Sequence, residues 1–329
     1  MKTKQVSAEL FTVAPGVFGR KDVFVNFYMI QDVETDNWVL IDTGLKWSAS
    51  KIKEMSEYLF GEESKPKAII LTHGHFDHVG SVAKLAEEWN VPVYAHPLEI
   101  PYLTGLSDYP PPDATVGGGL MASVAFLYPN SSINIWRNIK TLPLDGSVPF
   151  IPGWNYLHTP GHAPGHISLF RKSDSVLVAG DAFVTTKQES LLSVMLQTKI
   201  ISGPPKYFTI DWEAAKKSVQ TLVDLNPKTA ATGHGMPMRG KELTDALSEL
   251  INHFDQDSIP ANGRYVHHSA ITNANGVMYV PPKNYDLNEI VVKAFAVTAI
   301  AVSTFVWSFY KKKKKIRKNE DLLAVEYNF

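Results

Sequence analysis

The sequence predicts an α/β fold in which two packed sheets carry helices on their outer faces. Two observations support this. Strand-like runs come in groups, each followed by a helical stretch, and the alternation happens twice. Polar clusters of His, Asp, Thr and Gly follow directly on several of the apolar runs, so reactive side-chain types collect at strand ends.

The first 45 residues alternate and break as strands do. Val23 to Gln31 is rich in β-branched and aromatic residues, and Trp38 to Ile41 is a short apolar strand ending at Asp42-Thr43-Gly44. Residues 48–60 suit a helix. Ala68-Ile69-Ile70-Leu71 reads as a buried strand, and 81–89 as a helix with Val82, Leu85, Ala86 and Trp89 on one face. Val91 to Ala95 returns as a strand. Residues 101–135, rich in Pro, Gly and aromatics, read as a long insert, and long ordered loops are often functional. Its apolar residues (Tyr102, Leu103, Leu106, Tyr109, Leu120, Met121, Phe126, Leu127 and Tyr128) either cover an acyl chain or simply pack the loop down. Strands resume at Trp154–His158, Ile167–Phe170 and Val176–Ala179, and 211–225 and 241–255 are helical by pattern. From 258 to 289, Pro260, Asn262-Gly263, Asn275-Gly276 and Pro281-Pro282 break any periodicity, as in a linker or irregular extension.

Ile290 to Tyr310 changes character: 21 residues with one charge, Lys293. As a helix it would be about 31 Å long, the thickness of a hydrocarbon core. Trp307 and Tyr310 sit at one end, and Lys311 to Lys315, Arg317 and Lys318 follow. The expectation is a transmembrane helix at 290–310, a basic tail at 311–329 and a single-pass membrane protein. Met1 to Leu10 does not read as a signal peptide, which puts the catalytic domain in the cytoplasm, although the basic tail favours the opposite orientation.

The 329 residues suffice for one large domain or two ordinary ones. The net charge of −1 offers no basic surface for nucleic acid. Cysteine is absent, so disulfides, thiolate zinc sites and cysteine nucleophiles are excluded. Oligomeric state is left open.

The chemistry concentrates in Thr72-His73-Gly74-His75-Phe76-Asp77-His78-Val79-Gly80, where three histidines and one aspartate fall within six residues after a buried strand. Packing does not require such a pattern; imidazole and carboxylate together suit divalent cations. Four further pieces share the same setting. Thr159-Pro160-Gly161-His162 follows a strand, Ala179-Gly180-Asp181 ends one, Thr232-Gly233-His234-Gly235 follows the short apolar stretch Thr229-Ala230-Ala231, and Asp42 ends the strand at 38–41.

On these residues the chain resembles the metallo-β-lactamase superfamily over about residues 8–255. The family's His-x-His-x-Asp-His motif matches His73, His75, Asp77 and His78. Its second histidine matches His162, its bridging aspartate Asp181 and its last histidine His234. The resemblance implies a four-layer αββα sandwich for a domain at 8–257. It implies two divalent metal ions, zinc first with iron or manganese as alternatives. One would be held by His73, His75 and His162, the other by Asp77, His78 and His234, with Asp181 bridging. It further implies hydrolysis by a hydroxide shared between the metals, with Asp77 and Asp181 as catalytic residues and Asp42 behind the ligands. His158 and His166 flank His162 but fall outside the motif and are expected to be structural or pocket-lining.

Departures from the pattern narrow the substrate. Subclass B1 lactamases use a cysteine ligand. Many lactonases place a tyrosine three residues after the bridging aspartate, where Val184 stands. Glyoxalase II carries a lysine and a tyrosine shortly after it, and here Lys187 is followed by no tyrosine before Tyr207. A small-molecule ester, thioester or lactone remains. The competing expectation is a non-hydrolytic metal-binding membrane module with a redox or regulatory role.

Overall fold

The computed structural model describes residues 9–32 and 34–283. The first sheet has seven strands in sequence order: β1 (Leu10–Ala14), β2 (Val17–Asp22), β3 (Val25–Gln31), β4 (Trp38–Ile41), β5 (Ile69–Ile70), β6 (Val93–Ala95) and β7 (Ile139–Thr141). β1 to β4 pair antiparallel, and β4 to β7 run parallel. The parallel part needs crossovers: α1 (Ala49–Phe60) supplies the first, α2 (Phe76–Val79) and α3 (Val82–Trp89) the second, and the long stretch from 96 to 138 the third.

β4 shows why an uninterrupted apolar run fits here. Trp38 and Leu40 pack with Ile52 and Met55 of α1 and Val82, Leu85 and Trp89 of α3. Val39 and Ile41, on the opposite face, pack against the second sheet. Both faces are covered, so alternation vanishes.

The second sheet has the order β12-β11-β10-β9-β8, formed by β8 (Trp154–His158), β9 (Ile167–Arg171), β10 (Val176–Val178), β11 (Thr229–Ala231) and β12 (Met238–Arg239). Trp154, Ile167, Leu169, Val176 and Val178 meet Tyr28, Ile30, Val39 and Ile41 in a core between the sheets. On the outer face Leu177 and Ala230 pack under α7 (Trp212–Asp224) and α8 (Gly240–Asn252) through Trp212, Val219, Leu222, Leu243 and Leu247. The order helix, sheet, sheet, helix is the αββα sandwich.

The insert contains α4 (Ile100–Leu103) and α5 (Leu120–Ser123), and α6 (Leu191–Leu196) lies after the second sheet's strand β10. α8 is followed by α9 (Phe254–Asp257). Residues 258–283, expected as linker or extension, pack on the sandwich. The hairpin β13 (Ile271–Asn273) and β14 (Gly276–Tyr279) turns at Ala274-Asn275, and Val277 N–H donates to Ser107 Oγ. Tyr265 is buried with Ile210 and Ala270, and its hydroxyl donates to Pro111 O.

One expectation is corrected. Among the described residues no helix is long and apolar enough to cross a membrane. The expected span at 290–310 and the tail at 311–329 lie outside the described residues. The reading as a single-pass membrane protein with a cytoplasmic catalytic domain is therefore withdrawn.

Candidate metal centre

β8 and β10 both run antiparallel to β9, so β8, β10 and β11 point one way. His162, Asp181 and His234 follow their carboxyl ends. Asp42 and the His73–His78 loop follow β4 and β5 of the facing sheet. The two sheets are joined at this edge: Asn26 Nδ2 donates to Thr232 O and Gly235 O, Asn26 N–H to Gly233 O, and Tyr28 OH to Thr232 O.

All seven sequence-predicted residues come together, and all are buried. Three groups have side-chain ligand atoms within 4.8 Å of one another: His73/His75/His162, His73/His78/Asp181 and Asp77/His78/His234. Asp181 lies between the outer two. Its Oδ2 is 3.5 Å from His162 Nε2, 3.6 Å from His78 Nε2 and 3.1 Å from His234 Nε2.

The outward-facing ring nitrogens are committed elsewhere. His78 Nδ1–H donates to Asp42 Oδ2 at 2.8 Å. Thr72 Oγ1–H donates to the same carboxylate at 2.7 Å and accepts His73 Nδ1–H at 3.0 Å. His234 Nδ1–H donates to Phe24 O at 2.7 Å. His162 Nδ1 faces Thr209 Oγ1 at 3.4 Å. These partners turn Nε2 of each ring inward, where His234 Nε2 meets Asp181 Oδ2 at 3.1 Å. His73 Nε2, His78 Nε2 and Asp181 Oδ1 are buried without a hydrogen-bond partner, and His75 Nδ1 faces His162 Nε2 at 3.0 Å. A set of buried acceptors without donors fits a cation.

Charge points the same way. Burial, reinforced by neighbouring imidazoles, holds His73 and His162 well below the ordinary histidine range and brings His75 down to about 3, so these rings are neutral. Burial alone would also neutralise His78, but Asp181, Asp42 and Asp77 overcome it and raise it well above its usual value. The negative charge that favours a second proton on His78 favours a cation at the same place. Asp181, although buried, is held well below the carboxylate range by His234 and His78, whereas burial raises Asp77.

Backbone geometry serves the close approach. Asp42 takes φ +58°, a left-handed conformation that Asp tolerates, and this turns its carboxylate towards Thr72 and His78. A Cβ on Gly233 would collide with Asp181 Oδ1 and His78 Cε1, so this position accepts glycine alone.

A profile of the metallo-β-lactamase superfamily matches residues 20–234. The chain belongs to that superfamily. Probable metallo-hydrolase YflN of Bacillus subtilis (strain 168) is 48% identical over 243 residues, 74% of this chain and 92% of that one. Probable metallo-hydrolase YybB of the same organism is 27% identical over 236 residues, 71% and 91% of the two chains. The solved structure of BJP-1, a subclass B3 metallo-β-lactamase of Bradyrhizobium japonicum, is 18% identical, covers 78% of this chain and 96% of its own, and superposes with a TM-score of 0.51. It shares the fold. This superfamily protein is a metallo-hydrolase, and its His and Asp groups are of the kind that binds divalent metal.

His166 and His158 stand apart from the cluster's ligand atoms. His166 Nδ1–H donates to Thr159 O, and its Nε2 accepts Asp181 N–H at 2.8 Å, so the ring holds the backbone of Asp181. His158 stacks on His96 with centroids 4.0 Å apart and donates to Pro164 O. Sequence reasoning passed over Thr72, Thr209 and Glu99. Thr72 adjoins the motif and was within reach; the other two are distant in sequence from what they touch.

Proposed function

We propose that this metallo-hydrolase is a two-metal enzyme acting on a small-molecule ester, thioester or lactone. His73, His75 and His162 hold one cation, Asp77, His78 and His234 the second, and Asp181 serves both. The observation that carries the reading is the convergence of bare, buried acceptors (His73 Nε2, His78 Nε2 and Asp181 Oδ1) inside the ligand-type groups. Zinc suits an imidazole-rich set with two carboxylates, and iron and manganese accept the same donors. When bound, two such cations would supply Lewis acidity and a nucleophile derived from water at about neutral pH.

The chain's own residues do the rest. Asp42 and Thr72 keep protons on Nδ1 of His78 and His73, which fixes both tautomers. His166 anchors Asp181. Asp77, whose carboxyl is raised by burial and lowered by His78 and His234, faces the site beside His234 and is placed to take or deliver a proton besides ligating. Phe208 stacks on His75 at 4.5 Å, and Phe76 and Tyr128 extend the aromatic surface. That surface suits an apolar acyl group beside the reacting carbonyl and displaces water from it. The catalytic unit on this reading is residues 8–257, with 258–283 strapped to it.

Elemental analysis of the purified protein should give about two transition-metal ions per chain, in line with the two-metal scheme. Stripping them with a chelator should abolish turnover across a panel of aryl esters, thioesters and lactones, and adding metal back should restore it. Full hydrolytic activity in metal-free protein would sink the proposal, and turnover confined to phosphodiesters would move the substrate class.

A further inference from the structure

Glu99 is wholly buried, and among the described residues its partners are hydrogen-bond donors and no cation. Its carboxylate receives three hydrogen bonds. Gly74 N–H donates to Oε2 at 2.8 Å, Gly165 N–H donates to Oε1 at 2.7 Å, and Tyr109 OH donates to Oε2. Gly74 lies between His73 and His75, and Gly165 belongs to the loop that carries His162 and His166. The insert contributes Tyr109, whose ring packs on His75 at 4.7 Å and stacks on Tyr102 at 3.9 Å. Both glycines allow this approach. A Cβ on Gly165 would lie 2.8 Å from Glu99 Cγ, and one on Gly74 would collide with Tyr109 OH.

A buried carboxylate without a cation is costly unless its oxygens are satisfied. Here the satisfying donors come from the two loops that bear the three-histidine group. His234 lies on a third loop with no such tie to it, and Asp77 and His78 sit further on in α2, whose His78 N–H and Val79 N–H donate to His75 O.

We propose that Glu99, held by Tyr109, is a positioning residue that clamps the His73–His75 loop to the His162 loop and so sets the geometry of the three-histidine site alone. The inference rests on the two-metal reading above. Glutamine at 99 can offer its amide oxygen to only one loop, because its NH2 must then face the N–H of the other. Supporting partners behind metal ligands typically contribute 10–100-fold in affinity.

The test titrates metal-stripped full-length protein with Co²⁺ against a chromophoric chelator, following the cobalt visible spectrum and the melting temperature of the metal-free protein. Wild type should take up two equivalents. Glu99→Gln should weaken one of them by about 10–100-fold and alter its visible bands, leaving the other as in wild type. Tyr109→Phe, which keeps the carboxylate between both loops, should weaken the same equivalent by about 2–10-fold, the worth of one hydrogen bond. Two unaltered equivalents in Glu99→Gln would overturn the proposal, as would equal weakening of both with a lowered melting temperature, the mark of a merely structural role. Should Glu99→Gln not fold, Tyr109→Phe decides alone, and unchanged affinity there overturns the clamp. A wild type that binds one cobalt overturns the two-metal reading but leaves this one standing if Glu99→Gln still weakens that equivalent. Wild type that binds none overturns both.

Discussion

Asp42 is one carboxylate that orders several groups at once. It accepts Thr72 N–H, Thr72 Oγ1–H and His78 Nδ1–H, and through Thr72 it also fixes His73. His166 does comparable work for Asp181 through a backbone N–H. The distinction between His166 and His162 is testable. His162→Ala removes an inward-facing nitrogen from the three-histidine group and should abolish nearly all turnover, as should Asp181→Ala. His166→Ala strands a buried N–H, which costs about 1–3 kcal/mol of stability, and should reduce kcat/KM much less than His162→Ala. Equal losses at both histidines, in variants shown to be folded, would mean that the second histidine of the motif is misassigned.

The hairpin joining β2 and β3 shows an element bent to serve the site. Asp22 pairs with Val25, leaving Val23 and Phe24 as a two-residue turn. The sequence reads Val23 as the first residue of a strand, but it takes φ +61° and is 55% exposed. A β-branched residue there is strained by about 1 kcal/mol or more. The turn presents Phe24 O to His234 Nδ1–H, and Phe24 stacks on the His234 ring at 6.2 Å. Val23→Asn, which tolerates a left-handed conformation, should stabilise the protein by about 1 kcal/mol and raise its melting temperature by about 2–4 °C. A thermal melt with no rise would show that the turn carries no strain. The insert could not be read this way in the sequence. Tyr102, Leu103 and Tyr109 are buried, whereas Leu106, Leu120 and Leu127 are exposed, a split that follows from what lies beneath each residue and not from its type.

Across the molecule, the site lies where the two sheets meet at their edge, held by Asn26 and Tyr28 of one sheet on the Thr232–Gly235 loop of the other. Residues 258–283 touch the insert, through Tyr265 OH to Pro111 O and Arg264 N–H to Asp113 Oδ2, and also the segment at Ile210. Ala270 N–H donates to Ile210 O, and Tyr265 closes over Ile210. A chain ending at Asp257 should therefore unfold with about 2–4 kcal/mol less free energy than one ending at Lys283, from lost burial of Tyr265 and its hydrogen bonds. Coincident denaturant midpoints for the two chains would show that the segment is only a linker.

Local order along the chain determined most of the strands and helices of the sandwich, though not the short strands β7 and β12, and the positions of its His and Asp clusters, because apolar periodicity and strand-end loops are written in neighbouring residues. The motif in His73 to His78 is legible because four residues of one loop face one point. Tertiary structure alone decided which ring nitrogens turn inward, since their partners Asp42, Phe24 and Thr209 come from other loops. It alone brought Glu99 and Tyr109 between two histidine loops, because a buried carboxylate chooses its donors by distance in space. In sequence Glu99 lies 25 residues from Gly74 and 66 from Gly165, with no periodicity linking them.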